Sequence, residues 1–310
     1  SSAASDVYKR QSLFPISRRD SLKRLAFGAS AIVLPQLLQA KGSLKSNGLK
    51  LAVQQYSFNR QLKGGSLDIL DYPKTAVEGT GIRGLEYFNG HMMDKSGDAR
   101  FFKELKKRCN DLGVTNTMML CKSTYAIDSS NAKTRSKSVE GFKPWLDGIK
   151  MLGGTTIRVD CKSPGDYEEQ KKLAAEGLHA LCDVAAKMNL DIVVENHGGY
   201  SSNGKWLAEL MSLVNRPNCG SLPDFQNFKD YDPYQGVKDL MPSAKIVCAK
   251  SKEFDSNGNE VNVDYHRLMK TVLDSGFKGY IGIEFEGHGT DPIKGILATK
   301  RLIERAVKEA

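Results

Sequence analysis

The chain has 310 residues, of which 40% are hydrophobic and 26% are charged, the composition of an ordinary globular protein that can bury a sizeable core. Its formal net charge is +9. The first 50 residues hold nine lysines and arginines but only two acids, a net of +7, so residues 51–310 carry only +2. The body of the chain therefore lacks the basic surface that nucleic-acid binding requires, and we expect no nucleic acid among its partners.

Residues 1–48 are predicted to precede the folded domain. The run from Asp6 to Gln11 is what the DNA of a common transposon adapter encodes in one reading frame. We therefore interpret residues 1–11 as an adapter-derived tail and exclude them from the fold, the alternative being a natural disordered tail. No structural prediction depends on this choice.

A targeting segment follows this tail. Arg18 and Arg19 stand before a modestly apolar run from Leu25 to Leu38. This order resembles a twin-arginine export signal, and the run is shorter than the roughly 18–20 residues that span a bilayer. The pattern predicts an exported, periplasmic protein without a stable membrane span. The alternative is a basic amphipathic helix that stays attached to the protein.

From Leu49 onward, apolar runs typical of buried strands alternate with longer stretches of helical period. Eight strands, each followed by a helical stretch, favour a single (β/α)8 TIM barrel over residues 49–310, with a doubly wound open sheet as the alternative. The predicted strands cover 49–58, 82–88, 114–121, 155–161, 190–197, 219–225, 244–250 and 279–286. The predicted helices cover 98–112, 139–151, 166–188, 203–215, 264–275 and 292–308, with weaker stretches at 66–78, which contains Pro73, and 234–241.

Charged and polar residues stand at the predicted carboxyl ends of six strands. In a parallel barrel these ends meet at the face where catalytic groups collect. A charge within an apolar strand is costly unless it is paired or bound to a metal, so several charges at one rim predict a functional site. These residues are Glu86 on strand 2, Arg158 and Asp160 on strand 4, Glu195 and His197 on strand 5, Asp224 and Asn227 on strand 6, Lys250 on strand 7, and Glu284 and Glu286 on strand 8.

Three of these carboxylates, Glu195, Asp224 and Glu284, come from strands 5, 6 and 8. Carboxylates at neighbouring strand ends repel one another unless they share a divalent cation. Oxygen ligands with one nitrogen favour Mn²⁺, Mg²⁺ or Co²⁺, and Zn²⁺ also fits. The pattern predicts a divalent metal site, the alternative being a structural cluster of ion pairs with Arg158 and Lys250.

Four short motifs, in order on strands 5 to 8, resemble the xylose-isomerase-like superfamily of sugar isomerases and epimerases. They are ENHGG (195–199), LPDFQNF (222–228), AKSKEFD (249–255) and GIEFEG (282–287). The resemblance extends over residues 49–308. It implies that Glu195, Asp224 and Glu284 are the carboxylates that bind the metal, and that Glu86 is an acid on the substrate side.

The fourth metal ligand departs from the family pattern. Family members usually place a histidine on strand 7, two residues before a lysine, whereas this chain has Cys248 before Lys250. The candidates are His197, water and Cys248 itself. We expect His197 or water, because the surrounding carboxylates favour hard metal ions whereas a thiolate is a soft ligand. His197 has the strand parity of Glu195, so both side chains can point into the barrel mouth.

The leading functional hypothesis is a metal-dependent sugar isomerase or epimerase. It acts by proton abstraction next to a sugar carbonyl, through a metal-stabilised enediolate. By resemblance, Glu195 and Glu284 are the carboxylates that move the proton. Lys250 is predicted to be an electrophile at a sugar oxygen, and His197 and Glu86 complete the predicted catalytic residues.

Two alternatives use the same barrel. A 3-keto-glycoside lyase would expel the aglycone from the carbon next to the abstracted proton, and a non-catalytic sugar-binding relative would have lost the metal. The expected partner is a small-molecule sugar or keto-glycoside in either enzyme. An apurinic-endonuclease function is disfavoured because the chain has five histidines and a near-neutral body. The sugar, the metal, the reaction outcome and the oligomeric state stay open.

Overall fold

The computed structural model describes residues 43–289 and 291–310. The predicted adapter-derived tail and export signal lie outside these residues. Within the part that is described, the helices lack an apolar run long enough to cross a membrane.

Eight parallel strands form one sheet, which confirms the predicted (β/α)8 barrel. Helices lie between the strands along the chain, as the alternating pattern predicts. The first strand begins at Leu49, the predicted start of the barrel. The strands are β1 Leu49–Gln54, β2 Gly84–Phe88, β3 Thr115–Leu120, β4 Thr156–Val159, β5 Asp191–Glu195, β6 Cys219–Leu222, β7 Val247–Ser251 and β8 Gly279–Phe285.

Seven of the eight strand junctions are parallel ladders, in the order β6-β5-β4-β3-β2-β1-β8-β7, and the register of the β2–β3 ladder shifts between Leu85 and Glu86. The remaining junction, between β6 and β7, consists of two isolated bridges, Ser221 with Ala244 and Asp224 with Cys248. The amide of Cys248 donates to the carbonyl of Pro223 at 2.9 Å, and the Phe225 amide donates to the carbonyl of Cys248 at 3.2 Å. We call this junction the β6–β7 seam, because it closes the barrel with fewer hydrogen bonds than a full ladder.

The helices begin later or earlier than predicted where a capping residue decides the start. Seven of them begin directly after an Asp or Asn whose side chain accepts a backbone N–H of the first turn. The helices are α1 Ser43–Ser46, α2 Asn59–Lys63, α3 Tyr72–Thr80, α4 Ala99–Asp111, α5 Ala132–Leu152, α6 Tyr167–Ala186, α7 Gly204–Val214, α8 Pro233–Leu240, α9 Tyr265–Asp274 and α10 Pro292–Glu309.

Several predicted boundaries differ from those in the structure, and three of the differences have identifiable reasons. Helix α5 begins at Ala132 rather than 139, because Asn131 caps it and its polar first turns carry no apolar periodicity. Helix α3 begins at Tyr72, so that Pro73 lies in the first turn, where a missing N–H costs nothing. Strand β1 ends at Gln54, and the following residues form a 3-10 turn at the barrel mouth.

The apolar core has two parts. The larger part lies between the strands and the helices, and the smaller part fills the inside of the barrel. The smaller cluster includes Phe88, Leu120 and Cys248, and Tyr56 packs against it. Buried charged side chains from the ends of the strands also lie inside the barrel, next to this smaller cluster.

A close helix–loop contact gives a stability prediction. A Cβ at Gly177 in α6 would lie 1.9 Å from the carbonyl oxygen of Ile127, whereas a Cβ at Gly141 in α5 meets nothing closer than 3.6 Å. We expect Gly177→Ala to lower the free energy of unfolding by about 1–3 kcal/mol, the cost of overpacking. Gly141→Ala, the matched control, should raise it by up to about 1 kcal/mol through helix propensity. Urea denaturation measures both, and equal effects would contradict the contact.

Candidate metal-binding active site

Four donor side chains converge at the carboxyl ends of the strands. One donor atom each from Glu195, Asp224, Cys248 and Glu284 lies within 4.8 Å of the other three, and all four residues are buried. The three carboxylates are those predicted from the sequence. The fourth donor is the thiol of Cys248, whose Sγ lies 3.4 Å from Glu284 Oε2.

A buried asparagine holds Asp224 in place. The side-chain amide of Asn196 accepts from the Asp224 amide at 2.7 Å and donates to the Asp224 carbonyl at 2.9 Å. Asp224 Oδ1 then accepts the backbone N–H groups of Gln226 and Asn227 at 2.7 and 3.0 Å. Oδ2 is buried and has no hydrogen-bond partner among the described residues. Because an unsatisfied buried carboxylate oxygen is costly, this atom is a position where a cation fits.

Both carboxylate oxygens of Glu195 are already engaged. Oε2 pairs with the Arg158 guanidinium at 2.5 Å, and Oε1 accepts from Asn227 Nδ2 at 2.8 Å. The same guanidinium contacts Asp160 at 2.9 Å. One nitrogen of the guanidinium thus bridges the two acids, and these charge-assisted contacts fix the orientation of the Glu195 carboxylate.

Lys250 is the second buried cation of the site. Its Nζ lies 3.3 Å from Glu284, 3.3 Å from Glu286 and 3.8 Å from Asp224. It also donates to Asn227 Oδ1 at 3.2 Å. Although burial disfavours the charged form, the surrounding carboxylates raise the pKa of Lys250 well above its usual range, Glu284 first among them. The ammonium is therefore protonated and acts as a donor rather than a base.

The other donors of the cluster have pKa values above those of the same groups in water. Burial raises the pKa of Glu284, with Lys250 opposing the shift and the neighbouring acids adding to it. Burial likewise raises the pKa of Asp224, and it raises the pKa of the Cys248 thiol well above its usual range. A divalent cation would take the place of these protons. The unsatisfied Asp224 oxygen and the mixed oxygen and sulfur donors thus fit a divalent ion.

His197 was predicted as a metal ligand, but the structure places it outside the four donors. Its Nδ1 lies 3.1 Å from Asp160 Oδ1, and 41% of the side chain is exposed. Although burial opposes the shift, Arg158 and His197 hold the pKa of Asp160 well below its usual range. The ionised Asp160 therefore attracts the imidazole away from Glu195, and strand parity alone did not reveal this competing partner.

Glu86, the predicted substrate-side acid, lies inside the barrel with no exposed surface. A Cβ at Gly282 would lie 2.5 Å from Glu86 Oε2, so the glycine on β8 makes room for this carboxyl group. Neither carboxyl oxygen has a hydrogen-bond partner among the described residues. Burial raises the pKa of Glu86 to about 8, and the Glu284 carboxylate adds to the shift.

Sequence analysis placed Asn227 at the rim but did not reveal what the two asparagines of the site contact. It left Cys248 as one of three candidates for the fourth ligand, and the structure places this thiol among the converging donors. Asn196 holds the backbone of Asp224, and Asn227 joins Glu195 to Lys250. The available signal was a buried amide at a strand end beside two carboxylates. An amide there has both a donor and an acceptor, so it can link an acid to a cation without adding charge.

The family of the chain follows from its sequence match. Residues 75–306 match the family described as xylose isomerase-like TIM barrel. The chain belongs to this family. The match includes β2 to β8 and all four converging donors, so the xylose isomerase-like barrel is the frame in which the site is built.

The fold of the chain is similar to that of several solved structures. A structure of the IolI protein with a zinc atom has a TM-score of 0.68 at 15% identity, covering 84% of this chain and 98% of that one. A 3-keto-D-glucoside 4-epimerase from E. coli has a TM-score of 0.64 at 16% identity, covering 83% and 99%. At such identities the similarity shows the fold.

One curated relative matches in sequence over a short segment. It is the C-glycoside deglycosidase alpha subunit of Arthrobacter globiformis, 36% identical over 78 residues. The matched segment spans 23% of this chain and only 22% of that relative. The chain therefore covers less than a quarter of the length of this relative.

The donor geometry predicts which residues control metal binding. Asp224→Asn should weaken the binding of Mn²⁺, Co²⁺ or Zn²⁺ by more than the roughly 10–100-fold that loss of an outer hydrogen-bond partner costs. His197→Gln should keep one ion per chain, because its ring lies at Asp160. Metal content after dialysis, measured by mass spectrometry, decides the matter. Loss of the ion in the His197 variant would show that the imidazole enters the metal site.

The burial of Glu86 predicts a pH-dependent stability. The pKa in the fold is about 8 against an ordinary 4.5, so above pH 4.5 the unfolded chain loses a proton that the folded chain keeps. The free energy of unfolding should therefore fall as pH rises toward 8, by at most roughly 1.4 kcal/mol per pH unit. Glu86→Gln should remove this part of the slope in urea denaturation of the metal-free protein. An unchanged slope would mean that Glu86 is ionised in the fold.

Proposed function

We propose that this protein is a metal-dependent enzyme that removes a proton from the carbon next to a sugar carbonyl. The observation that carries the proposal is the buried contact of Glu284 with Lys250, 3.3 Å apart, within a cluster of metal-binding donors. Enolisation requires a base that removes the proton and a fixed cation near it that stabilises the oxygen that becomes negative.

Glu284 is the base in this proposal. Both oxygens of Glu195 are engaged by Arg158 and Asn227, so that carboxylate is poorly placed to accept a proton. Glu284 contacts a thiol and an ammonium at 3.3–3.4 Å, and burial raises its pKa. Both of these contacts fall on Oε2, so Oε1 is the oxygen that accepts the proton in this proposal.

Lys250 stabilises the oxygen that becomes negative. The three carboxylates nearest its Nζ hold it in place and keep it charged. A fixed ammonium in a site that excludes water costs no reorganisation when negative charge develops. Asn227, which contacts both Lys250 and Glu195, fixes the distance between the cation and the metal-binding acids.

The donor set decides what an ion would supply. A divalent ion held by Glu195, Asp224, Glu284 and Cys248 supplies a Lewis acid for the substrate oxygen. Because a thiolate is a soft ligand, Cys248 makes Zn²⁺ or Co²⁺ better matched than Mg²⁺. This changes the preference expected from the carboxylates alone, in which Mn²⁺, Mg²⁺ and Co²⁺ came first.

The proton can return to the sugar, which makes the enzyme an isomerase or epimerase. The 3-keto-D-glucoside 4-epimerase shares this fold. The unequal engagement of Glu195 and Glu284 favours a single base, which serves proton transfer between neighbouring carbons better than inversion by two opposed bases.

The second candidate outcome is elimination of the aglycone from a 3-keto-glycoside. It also needs one base, and the 36% identical segment of the C-glycoside deglycosidase subunit favours it. The carbanion formed beside the carbonyl then expels the neighbouring glycosidic oxygen or carbon with its electron pair, and a proton completes the released aglycone. Both outcomes begin with the same abstraction at Glu284.

Substitutions on β7 and β8 test the assignment. Lys250→Met should keep the metal and lower turnover by a factor on the order of 10²–10³, the scale for losing one fixed electrostatic contact. Glu284→Gln should abolish proton exchange. Lys252→Met, an exposed lysine beside the same strand, is the matched control and should leave turnover unchanged.

The reaction is followed by NMR in D₂O with metal-loaded protein, using free ketoses and 3-keto-glucosides separately. Deuterium incorporation without release of the aglycone indicates an isomerase or epimerase, and release indicates a lyase. Neither exchange nor release, with the metal bound, would contradict the proposed function.

A further inference from the structure

A separate pocket lies at the barrel mouth, beside the ends of β1, β2 and β3. It has a volume of about 260 Å³, and none of the residues that line it is acidic. An apolar cavity of about 150 Å³ already takes a benzene ring, so this pocket has room for one substituted ring. Its walls are Tyr56, Phe88 and Met93, and its basic residues are Lys63 and Lys122.

The aromatic rings of the pocket are rigidly held. Phe88 packs edge-on against Tyr56 at 5.4 Å and against His91 at 5.0 Å, and His91 stacks on Tyr56 at 6.2 Å. Gln55 accepts from the Phe88 amide at 2.9 Å and lies 3.4 Å from His91 Nδ1, while Asn59 lies 3.0 Å from Nε2. These contacts keep the ring faces in fixed positions for a further aromatic partner.

His91, which packs against these rings, is uncharged at neutral pH. Burial lowers the pKa of His91 to about 4, and the Lys63 ammonium adds to the effect. At neutral pH the positive charge of the pocket therefore resides on its lysines.

Lys122 brings this charge to the ring faces. Its Nζ lies 5.7 Å from the centre of the Phe88 ring. The fully buried Asn89 fixes its backbone, donating to the Lys122 carbonyl at 2.9 Å and accepting from its amide at 2.8 Å. Lys63 and Lys122 form no ion pair among the described residues, so both remain available to an anion from outside.

A glycine keeps the pocket open. A Cβ at position 90 would lie 2.4 Å from the tip of the Phe88 ring. Any other residue there would displace the ring or fill the space before it. The exposed Met93 (47% exposed) adds a polarisable apolar edge at the entrance.

The pocket adjoins the metal-binding site. Phe88 and Cys248 belong to the same apolar cluster inside the barrel, and Tyr56 packs against that cluster. Tyr56 also lies within the electrostatic reach of Glu284, Glu286 and Lys250. A molecule that places a sugar at Glu284 would thus extend its substituent toward these rings.

We propose that this pocket binds the aglycone of the substrate, and that the aglycone is an aromatic ring bearing a carboxylate or phenolate group. The inference rests on the proposed function, since it assigns the non-sugar half of a keto-glycoside. The rings supply flat apolar contacts, and Lys122 and Lys63 supply the counter-charge. A second sugar in this position would call for carboxylate and amide partners for its hydroxyls, whereas the pocket lining has no such side chain and only three hydroxyl groups, those of Tyr56, Ser123 and Thr124.

Calorimetric titration of the metal-loaded full chain tests the pocket with simple probes. 4-Hydroxybenzoate should bind at one site, at least tenfold tighter than benzyl alcohol, which lacks the charge, or glucuronate, which lacks the aromatic ring. Lys122→Met should weaken 4-hydroxybenzoate about three- to tenfold, the range for a partly exposed cation beside a ring or an anion. Gly90→Ala should weaken it by more, and Lys103→Met, an exposed lysine on α4, should not change it.

Equal binding of glucuronate, or unchanged binding in both the Lys122 and Gly90 variants, would overturn the proposal. Failure of the pocket and failure of the enzyme function are distinguishable, because binding of the probe needs no turnover. Release of aglycones from keto-glucosides without binding of 4-hydroxybenzoate would overturn the pocket and leave the function. Binding without any proton exchange would leave the pocket and overturn the function.

Discussion

The structure depends on the balance of charge inside the barrel mouth. Four acids, Glu86, Glu195, Asp224 and Glu284, are buried there with only two buried cations, Arg158 and Lys250. Burying an unpaired carboxylate costs several kcal/mol, so the excess negative charge must be met by protons or by a cation. Burial raises the pKa of Glu86, Asp224 and Glu284, so these acids bind protons more readily when no cation is present.

This imbalance gives Glu195 and Glu284 different surroundings. Arg158 lies against Glu195 and Asp160, whereas Lys250 lies among Asp224, Glu284 and Glu286. The guanidinium is planar and orients its acids, while the ammonium is a compact point charge. One half of the site is thus oriented by a planar guanidinium, and the other half is arranged around a single ammonium.

The fold and the carboxylates could be predicted from the sequence because both follow from local rules. Apolar runs separated by helical stretches determine a parallel barrel, and charges at strand ends must meet at one rim. The partners of those charges could not be predicted, because they depend on distances between strands. Asp160 is two residues before Lys162 and far in sequence from His197, yet its carboxylate contacts the His197 imidazole. Cys248, rather than His197, lies in the donor cluster.

The β6–β7 seam affects where the barrel can open locally. Asp224 and Cys248 form one of the two bridges of that seam and are also two of the four converging donors. An ion held by both would link the two strands across the one described junction that consists of isolated bridges. Dissociation of that ion and separation of the two strands would then be linked equilibria. A change that weakens ion binding would also favour local opening of the junction. The amides of Phe225 and Cys248, which cross the joint, would report that opening directly through their hydrogen-exchange rates.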